Sequence, residues 1–164
     1  MESTNKKVLI IDDEKMNIMT MAHFLKPQYD VIVAIDGAAG LEAARKQLPD
    51  LILLDIIMPH MSGFDVIEKL KEAKDTSKIP VIFISGLNNS ADEAKGLELG
   101  AVDYILKPFN QAVVKAKIKS HLHVAEYERV IAELCKLLGV SAPDELDSAD
   151  QFIIRIKEQI TNNN

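Results

Sequence analysis

The chain is poor in groups that cross-link or ligate through sulfur. Its 164 residues include one cysteine, Cys135, which excludes a disulfide framework and a cysteine zinc site. Within a helical pattern, a lone thiol of this kind reads as a small apolar filler. No apolar stretch is long enough to span a bilayer, and the opening MESTNKK has no apolar segment like a signal peptide. Positive charge is also in short supply. Lys and Arg number 19 against 25 Asp and Glu, a formal net charge of −6 at pH 7, so nonspecific binding to nucleic acid is disfavoured. His23, His60, His121 and His123 form no metal-ligand arrangement with the acids. His121 and His123, two apart on a helix, lie on different faces. These absences leave the expectation of a soluble cytoplasmic protein with neither nucleic acid nor membrane as partner.

What the chain has instead is a set of short apolar runs, each ending on a polar group. Val8-Leu9-Ile10-Ile11 leads into Asp12-Asp13, and Leu51-Ile52-Leu53-Leu54 into Asp55. Val81-Ile82-Phe83-Ile84 leads into Ser85, and Tyr104-Ile105-Leu106 into Lys107-Pro108. Near-continuous apolar runs, rather than alternating ones, predict strands covered on both faces, as in a parallel sheet. A further strand is expected at 31–34. Helical patterns separate the runs, at about 16–25, from Asp36-Gly37 to Gln47, at 63–73 and at 90–99, with another beginning near Gln111. The first carries Met19, Ala22 and Leu25 at helical spacing, and the third buries Phe64, Ile67 and Leu70. Gly100 suits the position just past a helix end.

Five βα units ending near Ser120 predict an α/β fold, a doubly wound five-stranded parallel sheet. Right-handed crossovers then put the switch point between strands 1 and 3, where ligands bind outside the carboxyl ends of strands. Asp12, Asp13 and Asp55 become neighbours on that topology.

After Lys119 the pattern changes. Val124, Tyr127, Ile131, Leu134 and Leu138 follow a 3-4-3-4 spacing, a heptad seam. The fifth helix is therefore expected to extend to Leu138, where Gly139 stops it. Ser141 to Asp144 reads as a turn. An acidic stretch and a short extra helix at about 148–160 follow, with Phe152, Ile153, Ile156 and Ile160 as its apolar face. The division expected is 1–122 and a helical extension, 123–164.

The residues at the strand ends suit a hard cation and a phosphoryl group. Mg²⁺ takes oxygen ligands and keeps several waters. Asp13 and Asp55 could ligate it directly and Asp12 through water. Asp55 could act as a nucleophile on phosphorus, since carboxylates form aspartyl phosphates. Lys107 would add positive charge and Ser85 a hydroxyl donor, in a chemistry that consists largely of positioning and charge stabilisation. Taken singly, each has a plainer reading. An Asp before a helix is usually an N-cap, Lys107 a surface lysine and Ser85 a turn residue before Gly86. The agreement of all four strand ends favours the site.

In these motifs the chain resembles the receiver domain of a two-component response regulator. The segments that carry the resemblance are VLIIDDE at 8–14, LILLDIIMPHMSGFD at 51–65, VIFISG at 81–86 and GLELGAVDYILKPF at 96–109. The match covers about residues 6–122. It implies a flavodoxin-like strand order, 2-1-3-4-5, with Asp55 as phosphoacceptor. Asp12 and Asp13 would hold Mg²⁺ together with Asp55 and the backbone carbonyl of Ile57, and Ser85 and Lys107 would bind phosphoryl oxygens. It also implies a cis Lys107–Pro108 peptide, and Tyr104 as the aromatic that follows Ser85 when phosphorylation changes the face of helix 4, strand 5 and helix 5. The phosphoryl donor would be a sensor histidine kinase or a histidine phosphotransfer protein. Ile57 and Leu87 are apolar where some relatives place polar groups near the attacking water, which implies a long-lived aspartyl phosphate.

Other outputs stay open at this point. The chain could be the regulatory module of a longer protein with an enzymatic output such as cyclic-dinucleotide signalling. It could also be a phosphate-independent scaffold that homodimerises through the seam, although two heptads are marginal for a coiled coil, and the seam could equally dock on the 148–160 helix. An enzymatic phosphatase is disfavoured. Haloacid-dehalogenase-type enzymes carry a second acid two residues after the nucleophile, and here that position is Ile57.

Overall fold

The computed structural model describes residues 5–86, 90–141 and 149–162. Five strands alternate with helices: β1 (Lys7–Ile11), α1 (Lys15–Leu25), β2 (Asp30–Ala34), α2 (Gly37–Gln47), β3 (Leu51–Asp55), α3 (Gly63–Glu72), β4 (Val81–Ser85), α4 (Ser90–Glu98), β5 (Asp103–Leu106) and α5 (Gln111–Leu138), with α6 (Ala149–Asn162) last. The strands form one sheet of order β2-β1-β3-β4-β5, and all four pairings are parallel. This is the doubly wound architecture and the strand order expected from the sequence. The chain divides into two compact units, Met1–Leu122 and His123–Asn164.

The unbroken apolar runs are explained by a core on each side of the sheet. Alternate strand residues point to opposite faces. Leu9, Ile11, Ile52, Leu54, Val81 and Phe83 belong to one core, with Leu41 of α2 and Val66, Ile67 and Leu70 of α3. Val8, Ile10, Leu51, Leu53, Ile82 and Ile84 belong to the other, with Ile18, Met21 and Leu25 of α1 and Val114, Ile118 and Leu122 of α5. Central strands β3 and β4 are buried at every residue, whereas edge strand β2 is largely not. One expectation is corrected here. Met19 is 66% exposed, because α1 turns its Ile18–Met21–Leu25 stripe to the sheet and that phase leaves Met19 outside.

Helix ends are set by local chemistry. Asp36 caps α2, its carboxylate accepting from the Ala39 N–H at 2.7 Å. Ser62 and Asp65 form a reciprocal capping box at the start of α3. Gly100, at φ 97°, ends α4: its N–H donates to the Leu97 carbonyl and that of Ala101 to Gly96. Gly139, at φ 68°, ends α5 in the same way. In both cases a left-handed residue returns the chain so that the last helical carbonyls are satisfied.

In the second unit, Cys135 is buried and Leu138 half-buried, but Val124, Tyr127, Ile131 and Leu134 remain exposed. The apolar face expected of α6 is described only in part. Ile153 and Ile160 are exposed and Ile156 is half-buried. The Phe152 side chain, the turn after Ser141 and the acidic stretch lie outside the described residues. Among the described residues, no helix is long and apolar enough to cross a membrane.

A close backbone contact lies under the end of β3. The Gly63 N–H donates to the Ile56 carbonyl at 2.8 Å. A Cβ on Gly63 would collide with the Asp55 carbonyl oxygen and sit 2.8 Å from Ile56 Cα. Both neighbours are backbone and cannot swing away. Gly63→Ala is therefore expected to lower stability by about 1–3 kcal/mol, read as a lower urea midpoint at unchanged slope.

Candidate functional site

The parallel arrangement brings four strand ends to one edge of the sheet. Asp12 follows β1, Asp55 closes β3, Ser85 closes β4 and Lys107 follows β5. Asp12, Asp13 and Asp55 each offer a carboxylate oxygen within 4.8 Å of the others. Asp12 and Asp55 are almost wholly buried and Asp13 is exposed. Across this group lies Lys107, whose Nζ donates to Asp55 Oδ2 at 2.9 Å and to Asp12 Oδ2 at 3.1 Å. The Lys107 N–H donates to the Ser85 carbonyl at 2.8 Å, and the Lys107–Pro108 peptide is cis.

Both buried acids accept further hydrogen bonds locally. Asp55 Oδ1 accepts from the Ile57 N–H at 3.3 Å. Asp12 Oδ1 accepts from the Glu14 N–H at 2.8 Å, and the Asn17 side-chain amide donates to both Asp12 oxygens. Ser85 is fully buried, and its side chain hydrogen-bonds the hydroxyl of Tyr104, which is itself buried.

Charge does not balance here. The cluster holds three carboxylates and one ammonium, Lys107, which pairs with Asp12 and Asp55, so the formal charges of these four groups sum to −2. Burial pushes the Asp55 carboxyl above its ordinary pKa, and the opposing hydrogen bond and charge of Lys107 do not cancel that rise. Lys107 shows the reverse. Burial opposes its charged form, but Asp55 and Asp12 outweigh it and raise its pKa. A divalent cation with oxygen ligands fits such a donor set.

The sequence candidates are thus largely assembled. Asp12, Asp13, Asp55 and Lys107 meet, and Ser85 is linked to Tyr104. The Ile57 N–H donates to Asp55, while the residue as a whole is 57% exposed. Leu87 lies outside the described residues. Several contributors were not singled out from sequence. Asn17 sits five residues after Asp12, a spacing that no motif rule marks. Ser62 and Asp65 match the S-x-x-[DE] capping pattern, which could have identified them. Asp103 on β5 pairs with Lys117 Nζ at 2.6 Å and His121 Nε2 at 2.8 Å on α5. Burial opposes the Asp103 carboxylate, yet these partners hold its pKa below the usual value.

The raised pKa of Asp55 has a consequence for stability. Between its ordinary and its folded pKa the native state holds more protons than the unfolded chain, so stability falls as pH rises through that window. Removing the charge relieves the cost. In metal-free buffer, Asp55→Asn is expected to melt a few degrees above the wild type at pH 8. The gap should narrow as pH falls and the wild-type carboxyl takes up its proton. A melting temperature for Asp55→Asn at or below wild type across that range would contradict this account.

The same fold recurs in known proteins. A family model for the response regulator receiver domain matches residues 8–119. The "Probable cyclic di-GMP phosphodiesterase" of Vibrio cholerae is 44% identical over 115 residues, which are 70% of this chain and 26% of that protein. Response regulator PleD of Caulobacter vibrioides is 38% identical over 129 residues, 78% of this chain and 28% of that protein. The chain therefore spans about a quarter of the length of these two relatives. Among solved structures, a CheY-like response regulator receiver domain protein from Methanospirillum hungatei superposes with a TM-score of 0.71 at 29% identity, covering 76% of this chain and 98% of that one. Receiver domains bind Mg²⁺ at an acidic pocket and interact with histidine kinases or phosphotransfer proteins. With its family model matched from the first strand into the fifth helix, this chain belongs to the response regulator receiver domain family.

Proposed function

We propose that this receiver accepts a phosphoryl group on Asp55 from a sensor histidine kinase or a histidine phosphotransfer protein, and passes that event to its α4, β5 and α5 face. The observation that carries the reading is Lys107 bridging Asp12 and Asp55 beside Asp13. Asp55 supplies the attacking carboxylate oxygen. Its new bond to phosphorus forms as the donor's P–N bond breaks, and the bonding pair stays on the imidazole nitrogen. Lys107, already within reach of Asp55, meets the phosphoryl oxygens together with the Ser85 hydroxyl. Asp12, Asp13, Asp55 and the Ile57 carbonyl would hold Mg²⁺, which when bound neutralises charge on the incoming oxygens.

Two surfaces support the partner assignments. Met16 and Met19 are exposed on α1, which starts two residues after Asp13. Flexible thioethers of this kind suit a docking protein partner. On the other side, Ser85 and Tyr104 are hydrogen-bonded, so a phosphoryl group that takes the Ser85 hydroxyl competes with Tyr104 for it. The neighbouring face carries exposed Leu97, Val102, Leu106 and Val113. We assign the receiver to 1–122 and a helical extension to 123–164, and we read the chain as a phosphoacceptor rather than a turnover enzyme.

Intact-protein mass spectrometry with Mg²⁺ and acetyl phosphate tests this reading. One phosphoryl adduct is expected, absent without Mg²⁺ and absent from Asp55→Asn. In a time course, Ile57→Asn should shorten the adduct's lifetime several-fold, because a polar side chain beside Asp55 can orient the attacking water. No adduct on the wild type, with Mg²⁺ binding verified separately, removes the phosphoacceptor reading.

A second reading concerns self-association. The seam residues Val124, Tyr127, Ile131 and Leu134 are exposed even though α6 belongs to the same unit, which favours a homodimer over intramolecular docking of that stripe. Size-exclusion chromatography with light scattering is expected to give a dimer mass that grows with concentration. A monomer at high concentration, with and without phosphoryl donor, removes it.

A further inference from the structure

Asp12 holds more donors than a simple ion pair needs. Its Oδ1 accepts from the Glu14 N–H at 2.8 Å and from Asn17 Nδ2 at 3.3 Å. Its Oδ2 accepts from Asn17 Nδ2 at 3.1 Å and from Lys107 Nζ at 3.1 Å. Asn17 thus straddles the carboxylate fork, and a donor shared between both oxygens restricts rotation of the group about its last torsion, which is otherwise broad. Asn17 stands in the first turn of α1, whose Ile18, Met21, Ala22, Phe24 and Leu25 are buried. The helix that carries the amide is therefore anchored against the sheet.

We infer that Asn17 is a positioning residue for the acidic pocket, holding the Asp12 carboxylate in its metal-facing orientation once Lys107 turns to a phosphoryl group. This rests on the reading of the pocket given above. A carboxylate has about four lone-pair sites. When Lys107 leaves, Asp12 Oδ2 frees one for a metal-bound water, and Asn17 keeps the group from rotating. The neutrality of the amide matters. A lysine or arginine at this position would also orient Asp12, but its fixed positive charge would compete with the cation for the same oxygen. An asparagine orients without competing. Such outer partners of metal ligands commonly affect affinity by tenfold or more.

The test is Mg²⁺ titration by calorimetry of the full chain, wild type beside Asn17→Ala and Asn17→Leu, with thermal melts in metal-free buffer. Neither variant retains a donor, and both residues favour a helix more than asparagine does. Roughly tenfold weaker Mg²⁺ binding in both is expected, with metal-free melting temperatures at or above wild type. Phosphorylation by acetyl phosphate should show the same split, slowed at low Mg²⁺ and restored at saturating Mg²⁺. If the wild type binds Mg²⁺ and both variants bind it equally well, the positioning role is overturned while the phosphoacceptor reading stands. If the wild type binds no Mg²⁺, both fall together.

Discussion

The structure turns on the ammonium of Lys107, shared between two buried carboxylates. Asp12 and Asp55 are contributed by strands far apart in sequence and brought side by side by the sheet order, and neither tolerates burial as an unpaired anion. A single lysine, just past edge strand β5, reaches both. Its position follows from the end of β5, where the Lys107 N–H is bonded to the Ser85 carbonyl. The path from β5 to the acidic pair is thus fixed at both ends, by backbone on one side and by charge on the other. An arginine would not be an equivalent replacement, since a planar fork directs its donors differently from a compact ammonium.

The scaffold around this pair is built for rigidity at the strand ends. Two apolar cores clamp the sheet from either face. Gly63 lets α3 begin directly against the Asp55 backbone, and the Ser62–Asp65 capping box makes that start self-sufficient in hydrogen bonds. The site itself departs from the consistency seen elsewhere. Its acids outnumber its base, and the carboxyl of Asp55 is pushed toward its neutral form by burial. Conflict between local physics and global fold is expected where function is carried.

Much of this was legible in the sequence because the signals were strong and mutually consistent. Four apolar runs ending on Asp12, Asp55, Ser85 and Lys107 imply a parallel sheet, and a parallel sheet implies that those ends converge. What was not legible depended on phase or on contacts without a fixed spacing. Met19 and Met21 both lie within a plausible helical stripe, and only packing against β1 and β3 decides which is buried. Asn17 is invisible to motif reasoning, because its role comes from the turn of the chain between β1 and α1 rather than from a repeat. The pairing of Asp103 with Lys117 and His121 joins two elements whose relative phase no local pattern sets. The heptad seam shows the opposite failure. The pattern of Val124, Tyr127, Ile131 and Leu134 predicts a covered stripe, but periodicity states only that something apolar is wanted there, not what supplies it.

The imbalance of charge also bears on how, under the proposed role, a small group at the pocket would act at a distance. Each added anion draws on the same lysine, so a gain at Asp55 is a loss at Asp12. Each added cation relieves both acids at once. In the proposed role Ser85 would tie the pocket to Tyr104, since the hydroxyl that would meet an anion at Asp55 is the one bonded to the tyrosine. A packed core does not deform continuously to accommodate such a change. With Tyr104 buried in the same core as Phe83 and Val66, any displacement of its ring must be taken up by rearrangement of its neighbours, and those on β5 lie at the edge of the sheet. Under the proposed phosphoacceptor role, competition for Lys107 and close packing around Tyr104 are the two features through which a change at the acidic end of the sheet would reach its β5 face.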